Sequence, residues 1–363
     1  MRLKELSPLK EIIFNKKLEN LDGVVAGFRI DESPHFNMIY AGILLCCTGE
    51  TSEGRKYLES TLKLAPNDNF LKYTVSYLNE YGRMAPLEKI FPGKQQYAEP
   101  HLLRALMDLS MFHVIRENSI AHIYDFFRDK IDPKKGLHVL DIGIGDGSHL
   151  FSILKKFIDQ SEIKDVTICA VDPSENMLKS SREYLLKNIG PKLKFMPINK
   201  NFQDLSGTET GKALKISGRG FDFVHASHAF HHMPFELKMQ ACDKLRQLSP
   251  YFVLIDLEGN EDLPEQFDPE YVYYLYRTYG ALMDHVTSEI SDSNVVEGIF
   301  KKILLSEVFH SLYCKRNERS DFGMMREQWE DLFINRAKFN RLAVNTTVYE
   351  DSALRCLLMI AAI

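Results

Sequence analysis

A single tryptophan, no Cys-x-x-Cys pair, no excess of positive charge and no apolar run of membrane length are the first features of this 363-residue sequence. The six cysteines, Cys46, Cys47, Cys169, Cys242, Cys314 and Cys356, are scattered, which removes a zinc ribbon or a disulfide scaffold and reads as reduced thiols in a cytoplasmic protein. Residues Met1-Arg2-Leu3-Lys4-Glu5 lack the apolar run of a signal peptide, and the longest apolar candidate, residues 39–47, falls far short of the ~20 residues a membrane span requires. With 45 Lys and Arg against 50 Asp and Glu the net charge is -5, so nucleic acid is disfavoured as the main partner. What is present is balanced: 45% hydrophobic, 26% charged, 20 Gly and 14 Pro exclude a disordered or collagen-like chain.

The length predicts one catalytic-size core plus a smaller accessory piece. Residues 6–97 read as helical hairpins: Ile39, Ile43, Leu44 and Cys47 keep helical spacing, Thr48-Gly49-Glu50 interrupts it, and Tyr57, Leu58, Leu62 and Leu64 resume it before Pro66. Gly49 recurs as Gly82 and Pro66 as Pro100, offsets close to the ~34 residues of a tetratricopeptide unit. The stretch is either one or two degenerate copies of that unit or a repeat-free helical cap. Leu102, Leu106, Phe112, Ile115, Ile123 and Phe127 then make a long apolar helical face ending before Pro133. Beyond it the period changes. Short β-type runs near 138–140, 166–171, 193–196, 221–226 and 251–256 alternate with helices near 149–159 and 174–188, which predicts a parallel sheet with helices on both faces. A mainly helical stretch runs to about 335, and the β-type runs 342–348 and 354–360 predict a terminal hairpin.

The sharpest local signal is Leu140-Asp141-Ile142-Gly143-Ile144-Gly145-Asp146-Gly147, a strand running into a glycine turn and then a helix. Glycines there allow close backbone approach to a ligand. The spacing is G-x-G-x-G; the third glycine of the dinucleotide fingerprint would fall at Ser148. One strand later comes Ala170-Val171-Asp172-Pro173-Ser174, with Asp172 where a carboxylate can accept both hydroxyls of a ribose and Ser174 placed to cap the next helix. The two segments together resemble the first and second motifs of class I S-adenosylmethionine-dependent methyltransferases. That resemblance implies a Rossmann-like methyltransferase sheet of the α/β class, mostly parallel with a terminal antiparallel hairpin and a helical cap subdomain. It implies S-adenosylmethionine as cofactor and S-adenosylhomocysteine as product. Asp141 would help hold the ammonium, Gly143, Ile144, Gly145 and Gly147 would leave room for the cofactor, and Asp172, Pro173 and Met177 would border the ribose. Gln203, Asp204 and Ser227 complete the expected cofactor site, the first two toward the adenine amino group.

Residues 225–232 contain four histidines, His225, His228, His231 and His232. No cysteine or carboxylate completes a compact ligand set nearby in the sequence, so no metal is expected. His231 and His232 fall in the loop after the fourth strand, where either packs over the cofactor or takes a proton from an acceptor oxygen or nitrogen. At the fifth strand, Asp256 and Glu258 fall near the carboxyl edge, and Glu258 is the acceptor-side candidate beside His231 and His232.

From residue 108 onward the order of short motifs resembles the GRAS family: Leu248-Ser249-Pro250, Asp256-Leu257-Glu258-Gly259-Asn260, Tyr273-Tyr274, Arg316-Asn317-Glu318-Arg319, Trp329 and Ala353-Leu354-Arg355-Cys356. Plant members of that family typically lack the intact glycine loop, so its presence here favours cofactor binding. The resemblance implies an N-terminal helical region at 1–98 contributing to the cap, a helical lead-in and cofactor-binding core at 99–260, a helical cap insertion at 261–335 and a sheet-completing hairpin at 336–363. Tyr271, Tyr273, Tyr274, Tyr276 and Tyr279 form either an aromatic acceptor pocket or ordinary packing, and Trp329 reads as a core anchor. The expected function is O- or N-methylation of a small-molecule acceptor. The alternatives are a non-catalytic regulatory module, or an enzyme whose N-terminal helices recruit a protein partner. Neither nucleic acid nor membrane is expected as a partner.

Overall fold

Every residue of VTICAVD, Val166–Asp172, is buried, as expected of a strand with neighbours on both edges and helices on both faces. This strand, β2, lies in parallel register beside β1 (Leu137–Ile142), with Asp141 opposite Ala170. β3 (Leu193–Asn199), β4 (Phe223–Ser227) and β5 (Tyr251–Leu257) add further parallel strands. β6 (Arg341–Glu350) and β7 (Arg355–Ala362) form an antiparallel hairpin, and β7 inserts between β5 and β6 to give the order β3-β2-β1-β4-β5-β7-β6. The hairpin turn is fixed by Asp351, whose Oδ1 accepts from the amides of Ala353 and Leu354, each at 2.8 Å. The fold class predicted from the alternating pattern is the one observed.

This computed structural model describes residues 3–28, 33, 35–86, 100–163, 165–260, 264–319 and 321–363. Two compact units emerge, a helical unit of Met1–Ser110 with Asn260–Ser320 and a sheet unit of Met111–Gly259 with Asp321–Ile363. The division at 320/321 departs from the boundary expected at 335/336, and packing explains it. Trp329, Leu332 and Phe333 are fully buried in one cluster with Phe230 and Phe252 from the sheet side, and the Trp329 and Phe333 rings stack with centroids 5.9 Å apart. The helix Arg326–Glu330 and the π-helical turn Asp331–Arg336 therefore belong to the core of the sheet unit.

In the sheet unit, the helices Ser148–Ser161, Glu175–Ile189 and Phe235–Leu248 bury Leu150, Ile153, Leu154 and Phe157, then Leu178 and Leu185, then Ala241, Cys242, Leu245 and Leu248. Ser174 caps the second of these, accepting from the Met177 amide at 3.3 Å. The helical unit contains Phe36–Cys47 and Thr51–Leu64, a close-packed pair. A Cβ on Gly54 would stand 2.5 Å from Cys46 Sγ and 2.6 Å from the Gly42 carbonyl oxygen. Asn69–Tyr81 follows, closed by Gly82 in the left-handed region. The second copy of the suspected repeat runs into residues 87–99, outside the described residues. Four tyrosines of Pro269–Glu289 pack or hydrogen-bond within this unit. Tyr271 is buried beneath the Arg319 guanidinium, Tyr273 meets Phe36 edge-on, Tyr276 donates to Asp68 Oδ2 at 2.6 Å, and Tyr279 donates to Glu307 at 3.2 Å. Among the described residues no helix is long and apolar enough to cross a membrane.

Candidate active site

The carboxyl ends of β1, β2, β4 and β5 collect nearly all the chemistry of the sheet unit. After β1 the chain turns through Gly143, Gly145 and Gly147, all with positive φ. At Gly143 (φ 67) a Cβ would lie 2.5 Å from the Ala229 Cβ, so only glycine lets this loop touch the segment after β4. At Gly145 (φ 55) nothing lies within 4 Å of an added Cβ, which leaves open space in front of the loop. Asp172, at the end of β2, holds the loop: its Oδ2 accepts from the Gly145 amide at 3.3 Å and its Oδ1 from the Ser174 amide at 2.8 Å. Burial pushes its carboxyl up, partly offset by these amides. The predicted residues Asp172, Pro173 and Met177 thus sit at one strand-to-helix turn beside Gly143, Ile144, Gly145 and Gly147. Gln203 and Asp204 occupy a turn after β3, Phe202–Asp204, where Asp204 Oδ2 accepts from Asn201 at 2.9 Å and the Gln203 carbonyl accepts from Lys244.

Asp141 has a partner not anticipated from the sequence. Parallel register places His225 of β4 opposite it, and His225 Nδ1 lies 2.6 Å from Asp141 Oδ2, both side chains almost wholly buried. Burial pushes the Asp141 carboxyl up, with His225 offsetting part of the rise. Next to this pair, His149 Nδ1 lies 2.7 Å from Ser227 Oγ, and burial drives His149 well below its ordinary value, so its ring is neutral at pH 7. His149 stands one residue inside the helix after the glycine loop, and no motif flagged it. Its Nε2 and that of His225 are buried without a hydrogen-bond partner among the described residues.

The second cluster lies at the end of β5. His231, on the turn Phe230–His232, places Nδ1 2.6 Å from Oδ1 of the fully buried Asp256. Burial pushes Asp256 up, but His231, His228 and Lys238 outweigh it and hold the carboxyl below its ordinary range. His228 takes a left-handed conformation (φ 50) with its amide donating to the Ile255 carbonyl at 2.9 Å, and burial pushes its ring down to about 4. Glu258 departs from its expected acceptor-side position: Oε1 accepts from the Arg326 amide at 2.9 Å and Oε2 faces Arg355 at 3.1 Å, so both oxygens tie the end of β5 to neighbouring segments. Asp321 enters from far downstream, held by the Phe322 amide donating to the His231 carbonyl at 2.8 Å. Its Oδ1 lies 2.9 Å from His232 Nδ1 and 3.7 Å from His231 Nε2. No carboxylate completes a ligand set beside these histidines in the sequence; the fold brings Asp321 to them.

These residues fit S-adenosylmethionine. The glycine loop leaves its outer side open at Gly145, and the Asp172 carboxylate at the end of β2 suits vicinal hydroxyls. Residues 140–249 match a protein family described as a methyltransferase domain. Among solved structures the chain is similar to SCL7 of Oryza sativa, at 12% identity and a TM-score of 0.65, over 91% of this chain and 99% of that one. It is also similar to the DszA carbon methyltransferase, at 12% identity and a TM-score of 0.49, over 99% and 89% of the two chains. A further similarity is to magnesium protoporphyrin IX methyltransferase (ChlM) from Synechocystis PCC 6803 with bound SAH, at 10% identity and a TM-score of 0.43, over 72% and 92%. No curated protein matches the chain. The likeness to SCL7 carries the fold, and the family match covers the segment from within β1 to the residues just before β5.

Proposed function

We propose that this chain, an S-adenosylmethionine-dependent methyltransferase of the class I type with a GRAS-like fold, methylates an oxygen or nitrogen of a small-molecule acceptor, with His231 as the group that takes the acceptor's proton. Bound S-adenosylmethionine supplies an electrophilic methyl on a sulfonium and becomes the thioether S-adenosylhomocysteine. The glycine loop from Gly143 to Gly147 and Asp172 would hold it, with Asp141 and Ser227 bordering the same edge.

The observation that carries the base assignment is the Asp256–His231 pair. A buried carboxylate at 2.6 Å fixes the proton on Nδ1, which leaves the Nε2 lone pair for a substrate, while the ring stays 20% exposed and reachable. Glu258, with both oxygens engaged, braces the strand end from which Asp256 projects. The proton leaves the acceptor X–H for Nε2, the X–CH3 bond forms as the S–CH3 bond breaks, and Asp256 stabilises the resulting imidazolium.

The test is formation of S-adenosylhomocysteine from S-adenosylmethionine across pools of hydroxyl- and amine-bearing small molecules, run on the wild type and His231→Ala. The expected outcome is turnover in at least one pool that falls by about 10²–10⁴ in the variant, with S-adenosylhomocysteine affinity in calorimetry unchanged. Equal turnover by both proteins refutes the base assignment. Failure of folded, ligand-free protein to bind S-adenosylhomocysteine refutes the enzyme reading and turns attention to a regulatory use of the fold.

A further inference from the structure

Three ligand atoms converge beside the proposed base. One ligand atom from each of His231, His232 and Asp321 lies within 4.8 Å of the other two. The two distances to Asp321 Oδ1, 2.9 Å from His232 Nδ1 and 3.7 Å from His231 Nε2, bracket the ~3.4 Å that separates two ligands on a tetrahedral ion with bonds of ~2.1 Å. Orientation supports the same conclusion. With Nδ1 held 2.6 Å from Asp256, His231 presents Nε2 toward Asp321 Oδ1 at 3.7 Å, a gap too long for a hydrogen bond. A cation between them would be ligated by both. The carboxylate behind the histidine is also the arrangement that fixes the ring of a metal-binding histidine.

The site is built and accessible. Asp321 is held in place by the hydrogen bond from the Phe322 amide to the His231 carbonyl, and by Lys238, which is fully buried and donates to the Phe322 carbonyl. Solvent reaches the three side chains unequally: 20% of His231, 50% of His232 and 11% of Asp321 is exposed. An ion has a path in without any change of the core.

We infer that His231, His232 and Asp321 form a binding site for one divalent transition-metal ion, and that its occupancy silences the methyltransferase by taking the lone pair of the base. Two imidazoles and one carboxylate suit zinc, cobalt or nickel and disfavour magnesium, which prefers an all-oxygen shell. On loading, the His232 proton moves from Nδ1 to Nε2, so the neutral ring binds with no net proton lost. The ion site stands on geometry alone; its inhibitory consequence rests on the assignment of His231 as base.

Cobalt(II) is the probe, titrated into the ligand-free full chain while its visible absorption is followed, with zinc and magnesium as competitors. The expected result is one equivalent bound with visible d–d bands, displaced by zinc and unaffected by magnesium. Affinity should fall at least tenfold in both Asp321→Asn and His232→Gln, with melting temperature and S-adenosylhomocysteine affinity retained. His232→Gln, at a half-exposed position, keeps the test decisive if the Asp321 variant does not fold. Absence of bound cobalt, or equal affinity in wild type and His232→Gln, overturns the site. Zinc should suppress methyl transfer by the wild type and leave Asp321→Asn active. Cobalt binding without suppression by zinc keeps the ion site and refutes the assignment of His231 as base.

Discussion

Asp141–His225 and Asp256–His231 are the same pair of residue types at the same 2.6 Å separation, yet the fold gives them opposite settings. His225 is sealed, with its side chain 2% exposed, whereas His231 is 20% exposed. Burial dominates at Asp141 and pushes its carboxyl up; at Asp256 the equally complete burial is outweighed by His231, His228 and Lys238, and the carboxyl stays below its ordinary range. The pair itself does not decide the chemistry. Water access to the ring and the number of positive neighbours around the carboxylate separate a pair that supports the sheet from one that can exchange protons with a substrate.

Histidine deletions break this comparison most directly. His231→Ala should lower turnover by about 10²–10⁴ with a smaller loss of stability than at His225, because Asp256 loses its nearest partner but keeps His228 and Lys238. His225→Ala should do the reverse. It leaves the buried Asp141 carboxylate without its partner and should cost about 3–5 kcal/mol in denaturant-monitored unfolding. A variant of His231 as destabilised as that of His225 would erase the distinction between the two pairs.

Gly143→Ala probes the junction between them. Gly143 follows β1 directly after Asp141 and Ile142, and its missing Cβ faces Ala229, which lies between His228 and the turn carrying His231. Left-handed backbone alone costs a non-glycine residue about 1–2 kcal/mol, and the 2.5 Å approach to Ala229 adds to it. Lower stability together with weaker binding of S-adenosylhomocysteine is expected. Weaker turnover at saturating cofactor would show that the strain reaches His231 as well.

Much of the frame was legible because it is local. Apolar runs with short spacing declared β1 to β5, the spacing of Gly143, Gly145 and Gly147 declared the loop, and Ser174 is the helix cap its position after Asp172 and Pro173 suggested. What stayed hidden is pairing across the fold. His225 meets Asp141 only through the register of two strands distant in sequence, and Asp321 reaches His232 only because Phe322 and Lys238 lock its segment there. Glu258 looked available at a strand end, but its fate was set by Arg326 and Arg355, residues of other elements. Trp329 reads as an anchor from the sequence, while the core it anchors depends on Phe230 and Phe252. Periodicity carries no information of that kind.

The smallest effect, and the one that separates burial from pairing, concerns Asp141→Asn. The Asp141 carboxyl is raised above 3.8, first by burial, with His225 opposing. A carboxyl raised on folding binds its proton more tightly in the native state, so its contribution to stability is fullest below the unfolded value and declines as pH rises through the folded one. Asparagine cannot ionise and has no such decline. The stability of Asp141→Asn relative to wild type should therefore improve as pH rises through the raised titration of Asp141 in thermal melts and then level off, even as affinity for the ammonium-bearing cofactor falls. If the difference instead moves the other way, with wild type gaining as pH rises, then attraction to His225 outweighs desolvation at Asp141. The two aspartates would then be alike in charge, and only the exposure of their histidines would distinguish the pairs.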